Sequence, residues 1–312
     1  MTFLQNIFSI TNKKRNGGRK IHKVITICGI KLKFKKKLTK IETLMADVNQ
    51  IKNDLRKLSD ISIKNFSISE LHRKTFPKYK NINQGNSVVL CGAGPTLNYY
   101  KPISNNKHLA LNRAILKENI QYDYFFAQDW KGIYNIIDDI KKYKGNDCIK
   151  FIGHQDGMLY EQIPESKILE FNCERFYTDV HKARLSKTYN FSYDISTQPL
   201  GNFGTIAFPA MQFLLWTNPK RIYIVGCDSA PVGHFAGEEL PSNKRALTDE
   251  TYPRIVGQWK MFKEFAQLYY PDTEIISINP IGLKGIFKDV YTQNFIDEHP
   301  ELDNTVEIIN IQ

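Results

Sequence analysis

The run Val88-Val89-Leu90-Cys91 passes directly into Gly92-Ala93-Gly94-Pro95-Thr96-Leu97. Four apolar residues ending in a glycine turn read as a buried strand, and proline at the next position reads as the first residue of a helix. Glycine lets the backbone turn tightly and approach another group closely. The start of a helix favours an anion, because its first N–H groups lack partners. The turn therefore points to a strand–turn–helix unit of an α/β sheet and to a phosphate compound beside it. Two common phosphate sites do not fit. A dinucleotide fingerprint has a third glycine where this chain has Leu97, and an acidic residue after the second strand where this chain has Asn112. A P-loop carries a Lys-Ser/Thr pair, and none follows the turn.

The rest of the body agrees with an alternating pattern. Strand-like runs occupy 87–91, 108–112, 122–127, 148–152, 167–171, 221–226 and 273–278, and helix-like segments 96–104, 113–120, 131–143, 204–217 and 254–269. Such alternation predicts an α/β fold with a Rossmann-like, largely parallel sheet and helices on both faces, here over 86–312. Ligands of these sheets bind at the carboxyl ends of the strands. The residues at those ends are Gly92–Thr96, Asn112-Arg113, Gln128-Asp129-Trp130 and Gly226-Cys227-Asp228-Ser229.

Charge divides the chain. Residues 1–40 contain twelve of the 43 Lys and Arg and none of the 32 Asp and Glu, which leaves 31 basic against 32 acidic residues beyond them. A near-neutral body argues against nucleic acid as its partner. The basic arm, with the alternating run Ile30-Lys31-Leu32-Lys33-Phe34-Lys35, reads as an amphipathic strand or an extended tail, and an anionic membrane surface is the partner it would attract. From 41 to 58 the residues Ile41, Leu44, Val48, Ile51, Leu55 and Leu58 follow 3-4-3-4-3 spacing, a heptad seam that predicts a coiled-coil helix (41–60) and a homo-oligomer. Residues 61–85, with Pro77 and the polar run Asn81 to Asn86, read as a linker. The five cysteines form no CxxC pair and read as free thiols of a reducing compartment. With no long apolar run and no signal-peptide core, the chain is expected in the cytoplasm, peripheral to the inner face of the membrane where the arm engages it.

These motifs together resemble the bacterial sialyltransferases that use CMP-sialic acid and the motility-associated flagellin glycosyltransferases. Gly92-Ala93-Gly94-Pro95-Thr96-Leu97 is similar to their GxGPSL turn, and Leu111-Asn112-Arg113 to a second strand ending in a site asparagine. Phe126-Ala127-Gln128-Asp129 stands where a third strand ends in a polar residue, and Asn202-Phe203-Gly204-Thr205 leads through a helix to a strand ending Gly226-Cys227-Asp228. The resemblance covers roughly 86–290 and implies a glycosyltransferase that moves a sugar from a nucleotide-activated, CMP-linked donor to a surface glycan or lipid-linked acceptor, as in lipopolysaccharide or capsule biosynthesis. It implies donor binding by Gly92, Ala93, Gly94, Pro95, Thr96, Asn112, Gln128, Asp129, Asn202, Gly204 and Thr205. One position departs. Where those enzymes carry a catalytic His in an Ile-Gly-His context, this chain reads Ile255-Val256-Gly257-Gln258.

Sugar transfer requires a base for the acceptor hydroxyl and groups that stabilise the departing phosphate. His234, in a glycine-containing loop from Pro231 to Asn243, is the candidate base, with Asp228 as its orienter, an acceptor ligand or the base itself. Tyr252 is the candidate donor to the phosphate, as lid tyrosines are in the resembling family. His154 and Trp130 also follow strands and are weaker candidates. No Asp-x-Asp motif stands at a strand end, so no metal and no separate cofactor are expected; a monophosphate leaving group can be stabilised by hydroxyls and backbone N–H groups. Two other functions remain open. A pterin-type pyrophosphokinase would use ATP and Mg²⁺, and a non-enzymatic, membrane-tethered nucleotide-binding protein would not depend on His234 or Asp228.

Overall fold

In the computed structural model, the described residues are 8–14, 21–27, 30–35, 40–143, 148–156, 162–179, 191–202, 204–233, 235, 251–302 and 306–309. They form two compact units, Met1–Lys64 and Asn65–Gln312.

The first unit contains β1 (Phe8–Lys14), β2 (Ile21–Ile27) and β3 (Ile30–Lys35), paired antiparallel in that order. The alternating run 30–35 is thus the third strand of a small sheet. Helix α1 (Lys40–Thr75) follows. It contains the whole heptad stretch, and the described seam residues Val48, Ile51, Leu55 and Leu58 are 55–62% exposed. The helix does not stop where the linker was expected. It continues through 61–75, and Ile68, His72, Thr75 and Phe76 are buried. A 3-10 turn, Pro77–Tyr79, then packs Tyr79 beside Phe151 and Phe213. The apolar residues at 68, 76 and 79 make this stretch part of the body, despite its polar average.

The body is a nine-stranded sheet in the order β12-β11-β10-β4-β5-β6-β7-β8-β9, with every neighbouring pair parallel. Its strands are β4 (Ser87–Cys91), β5 (Lys107–Leu111), β6 (Tyr124–Ala127), β7 (Ile149–Asp156), β8 (Cys173–Asp179), β9 (Leu200–Gly201), β10 (Arg221–Val225), β11 (Glu274–Ile278) and β12 (Lys288–Val290). The central strands are buried on both faces and read as unbroken apolar runs for that reason. Alternate residues feed two cores. Val88, Leu90, Leu109, Leu111, Tyr124 and Phe126 pack with α5 (Ala207–Trp216) and α6 (Thr251–Tyr269). Val89, Cys91, Ala110, Phe125 and Ala127 pack with the short elements that follow β4 to β6 and with α2 (Trp130–Ile133), α3 (Ile137–Lys142) and α4 (Glu165–Ile168). A last short helix, α7 (Gln293–Glu298), follows β12.

Several elements differ from the sequence reading. The run 167–171 is not a strand: α4 and a turn occupy it, and β8 lies at 173–179 instead. Strands β9 and β12, two and three residues long, carry too few residues to show a period. The helices expected at 96–104 and 113–120 are single 3-10 turns, Pro95–Tyr99 and Asn112–Leu116, and that at 131–143 is broken into α2 and α3.

Strand order reverses at β4. The chain moves outward through β5 to β9, then returns to place β10 on the other side of β4 and continues to β11 and β12. The glycine turn after β4 and the Gly-x-Asp after β10 therefore meet at the topological switch point, the position where sheets of this kind hold ligands.

Candidate active site at the switch point

The turn after β4 and the turn after β10 interlock. Gly92 N–H donates to Val225 O at 2.8 Å, and Gly94 N–H donates to Gly226 O at 2.7 Å. A Cβ on Gly92 would collide with the Gly226 carbonyl, and one on Gly226 with the Gly92 carbonyl. Gly226 also holds φ at +68°, in the left-handed region. These glycines are required by the approach of one strand end to another. Gly94 meets Asp228 in the same way: a Cβ there would strike the carboxylate.

Asp228 is buried, and its carboxylate accepts from both Thr96 N–H, at 3.2 Å, and the Thr96 hydroxyl. Thr96 Oγ1 in turn accepts from Gly226 N–H at 3.1 Å. Burial pushes the Asp228 carboxyl above its ordinary pKa, opposed by the Thr96 hydrogen bonds. The open helix N-terminus expected here is thus not present. The helix is one 3-10 turn, and the carboxylate of Asp228 occupies the position an anion would take at Thr96 N–H. Cys91 and Cys227, next to these turns, are free thiols, and burial raises the pKa of each.

A second cluster stands at the ends of β5 and β6. Asn112 takes up φ of +45° directly after β5. Asp129 caps α2, its Oδ1 accepting from Gly132 N–H at 2.8 Å, and burial raises its pKa. A Cβ on Gly132 would lie 3.2 Å from both Asn112 Nδ2 and Asp129 Oδ2, so the two side chains share one small space. Asn112 Oδ1 is buried and has no hydrogen-bond partner among the described residues. Buried polar atoms are rarely left so; Ser277 Oγ and Asp289 Oδ1 share the condition on β11 and β12. Gln258 Oε1, in α6, is in the same condition.

A third cluster joins β6, β8 and β9. Gln128 Nε2 donates to Thr178 Oγ1 at 2.5 Å, Asn202 Nδ2 donates to Gln128 Oε1 at 2.8 Å, and Asn202 Oδ1 accepts from Gly204 N–H at 2.9 Å. Gln128, Thr178 and Asn202 are all buried. Thr205 Oγ1 accepts from Ala207 N–H at 3.3 Å at the start of α5.

Non-glycine residues in the left-handed region follow three strands on this edge: Asn112 after β5, Ser229 near the end of β10 and Asn279 after β11. Such backbone is costly and collects at functional sites. Gly282 N–H donates to Asp228 O at 2.8 Å, which fastens the loop after β11 to the same corner.

No protein-family model, no curated protein and no solved structure matches this chain.

The sequence-derived residues are thus distributed over three adjoining clusters. Gly92, Ala93, Gly94, Pro95, Thr96 and Asp228 form the first, Asn112 and Asp129 the second, and Gln128, Asn202, Gly204 and Thr205 the third. Tyr252 is in the first turn of α6, half-buried, and burial raises its pKa. His234 lies outside the described residues. Its neighbour Phe235 is held at the glycine turn, its N–H donating to Ala93 O at 2.9 Å and its carbonyl accepting from Asn98 Nδ2 at 2.8 Å. Asn98, Lys117 and Phe235 line a cleft of about 400 Å³ beside the turn. His154 packs edge-on against Tyr177 with ring centroids 5.0 Å apart, and Trp130 packs partly against the core.

Sequence reasoning missed Thr178, Gly132 and the Asn98–Lys117 pair. Thr178 was hidden because β8 was placed elsewhere. Gly132 carries a signal in retrospect, a glycine three residues after a capping Asp. Asn98 and Lys117 carry none. Among the described residues, no three His, Cys, Asp or Glu side chains are grouped as a metal site.

Proposed function

We propose that the protein is a glycosyltransferase that takes a sugar from a nucleotide-activated, CMP-linked donor and passes it to a surface-glycan or lipid-linked acceptor. The observation that carries this reading is the buried, unpartnered Asn112 Oδ1 at the carboxyl end of β5, beside the switch point of a parallel sheet. An acceptor of that kind suits the exocyclic amino group of a nucleobase, and cytosine has one. The donor lies across Asn112 and the turn Gly94–Thr96. Its sugar extends toward the end of β10, and Tyr252, in the first turn of α6, donates to the phosphate.

Asp228 acts in this reading by holding Thr96 and the glycine turn in place, since both its oxygens are engaged there. It is a positioning residue, and His234 is the base. Phe235 itself is fixed to Ala93 at the turn. The chain works as an oligomer joined through the seam of α1. No helix among the described residues is long and apolar enough to cross a membrane.

The test is a thermal-shift panel on the full chain with CMP, UDP, GDP, ATP and NAD, each with and without EDTA. A ligand that binds only the folded state raises the midpoint by mass action. A shift with CMP that EDTA leaves intact supports the proposal. A shift confined to ATP or UDP and abolished by EDTA overturns it and favours the pyrophosphokinase or a metal-dependent transferase. No shift with any nucleotide overturns it as well.

A further inference from the structure

The register of the small antiparallel sheet gathers its large apolar residues, Val24 excepted, on one face. Phe8 pairs with Ile27 and Ile10 with Ile25, and on the other side of β2 Ile25 pairs with Leu32 and Lys23 with Phe34. Directly paired residues share a face, and alternate residues along a strand share it too. Phe8, Ile10, Ile25, Ile27, Ile30, Leu32 and Phe34 therefore occupy one face, and Asn12, Lys14, Ile21 and Lys23 continue it at the other end of the sheet, where a lysine stem can lie along apolar surface with its ammonium at headgroup depth. The opposite face holds Lys13, His22, Lys31, Lys33 and Lys35 among Ser and Thr, with Val24 its one aliphatic residue. A one-residue slip in either pairing would mix the two sets.

The apolar face needs a cover. Ile30, on that face, is 66% exposed. The other element of the Met1–Lys64 unit is the first part of α1, and its described large apolar residues, Val48, Ile51, Leu55, Leu58, Ile61 and Ile63, are themselves exposed. Charge selects among the remaining covers. Stacking two such sheets through this face would set Lys14 and Lys23 of each copy against like charges, without one Asp or Glu in residues 1–40 to offset them. An anionic lipid surface offers what the sheet lacks on both counts, negative headgroups and an apolar layer beneath them.

We infer that the sheet of residues 8–35 is a membrane-docking element. It lies flat at the boundary of headgroups and acyl chains of an anionic bilayer, with the Phe8–Ile10–Ile25–Leu32–Phe34 face toward the lipid. Its outer edges stay at headgroup depth, where water and phosphate satisfy the free N–H and C=O groups that hydrocarbon would not. This inference stands whether or not the body transfers a sugar.

Co-sedimentation of the full chain with vesicles tests it, using phosphatidylcholine alone and phosphatidylcholine with about one-third phosphatidylglycerol. Binding is expected to the anionic vesicles, and to fall at least ~tenfold in pure phosphatidylcholine or at about 0.5 M salt, where charge is screened. Ile25→Asp and Leu32→Asp each reduce it by a similar factor, as does combined Lys31→Glu, Lys33→Glu and Lys35→Glu. A tryptophan pair reads the orientation without adding charge to the apolar face. Against the background of Trp130, Trp216 and Trp259 in the body, brominated lipid quenches the added emission of Ile25→Trp but not that of Thr26→Trp. Equal quenching of the two, or none, overturns the inference even if the aspartate variants fail to fold. So does binding that charge reversal abolishes and Ile25→Asp leaves unchanged. Absence of vesicle binding, with a particle mass that halves in Ile25→Asp, overturns it too and gives the face to a second copy of the chain.

Discussion

At the scale of single residues, the switch point is tied together by one carboxylate and three glycines. Asp228→Ala leaves the Thr96 N–H and hydroxyl without their acceptor in a buried corner, and is expected to cost about 1–3 kcal/mol in denaturant unfolding. Asp228→Asn keeps one carbonyl acceptor and costs less. Gly226→Ala combines a left-handed backbone with a collision against the Gly92 carbonyl, so its loss should be larger, roughly 3 kcal/mol or more. An Asp228→Ala cost above that of Gly226→Ala would show that the carboxylate does more than hold the turn. His72 supplies a pH test. It is fully buried, Tyr177 N–H donates to its Nε2 at 2.8 Å, and its Nδ1–H is shared by Ile195 O and Gln198 O at 2.9 and 2.8 Å. Burial lowers its pKa to about 4, against the opposing pull of those two carbonyls. The unfolded chain takes up a proton near pH 6.5 and the folded chain only near pH 4, so stability falls as pH drops through that window. The loss amounts to about 3 kcal/mol by pH 4. His72→Gln is expected to be less stable at pH 7 and to show a correspondingly flatter profile; an unchanged slope in urea titrations from pH 7 to 4 would contradict this.

At the scale of elements, the sequence was informative where one residue type or period dominated. The apolar runs of β4, β5, β6 and β10, and that of β11 broken only by Ser277, announced a doubly buried parallel sheet, and Gly92-Ala93-Gly94 marked its turn. Strand β8 was not legible, because Cys173-Glu174-Arg175-Phe176 carries charge on a half-exposed strand and lacks an apolar run. The 3-10 turns after β4 and β5 looked like helices because the same residues favour both. No local pattern shows that Asp228 would cap Thr96, since the two are joined only by the return of β10 to the side of β4. The interlocking of Gly92 with Gly226 was hidden for the same reason. Helix α1 shows the opposite case: its seam was plain from spacing, whereas its continuation to Thr75 depends on Ile68, His72 and Phe76 finding the body. The exposed seam makes a prediction of its own. Burying an aliphatic side chain contributes about 1.5–3 kcal/mol, so covering Val48, Ile51, Leu55 and Leu58 with a second copy should hold the chains together. Light scattering should give a mass above one chain for the wild type and a single-chain mass for Ile51→Asp with Leu55→Asp. A single-chain mass for both would remove the coiled coil from the account.

At the scale of the whole molecule, the net charge of +11 is carried by residues 1–40, which hold twelve Lys and Arg and no Asp or Glu and include the small sheet. Binding of a nucleotide by the body and docking of the sheet should therefore respond differently to salt. Raising salt to about 0.5 M is expected to release the chain from anionic vesicles while changing nucleotide affinity far less, because a ligand partly enclosed by protein is screened less than a surface charge. The central claim is that a CMP-bearing donor hydrogen-bonds to Asn112. Calorimetric titration of CMP into the full chain and into Asn112→Ala tests it most directly. The account predicts saturable binding by the wild type and a loss of about 1–3 kcal/mol, roughly five- to 150-fold in Kd, in the variant, measured below its melting temperature, which falls because alanine tolerates the φ of +45° at this position less well than asparagine. Equal affinities for CMP in the two proteins, or no binding by either, would contradict it.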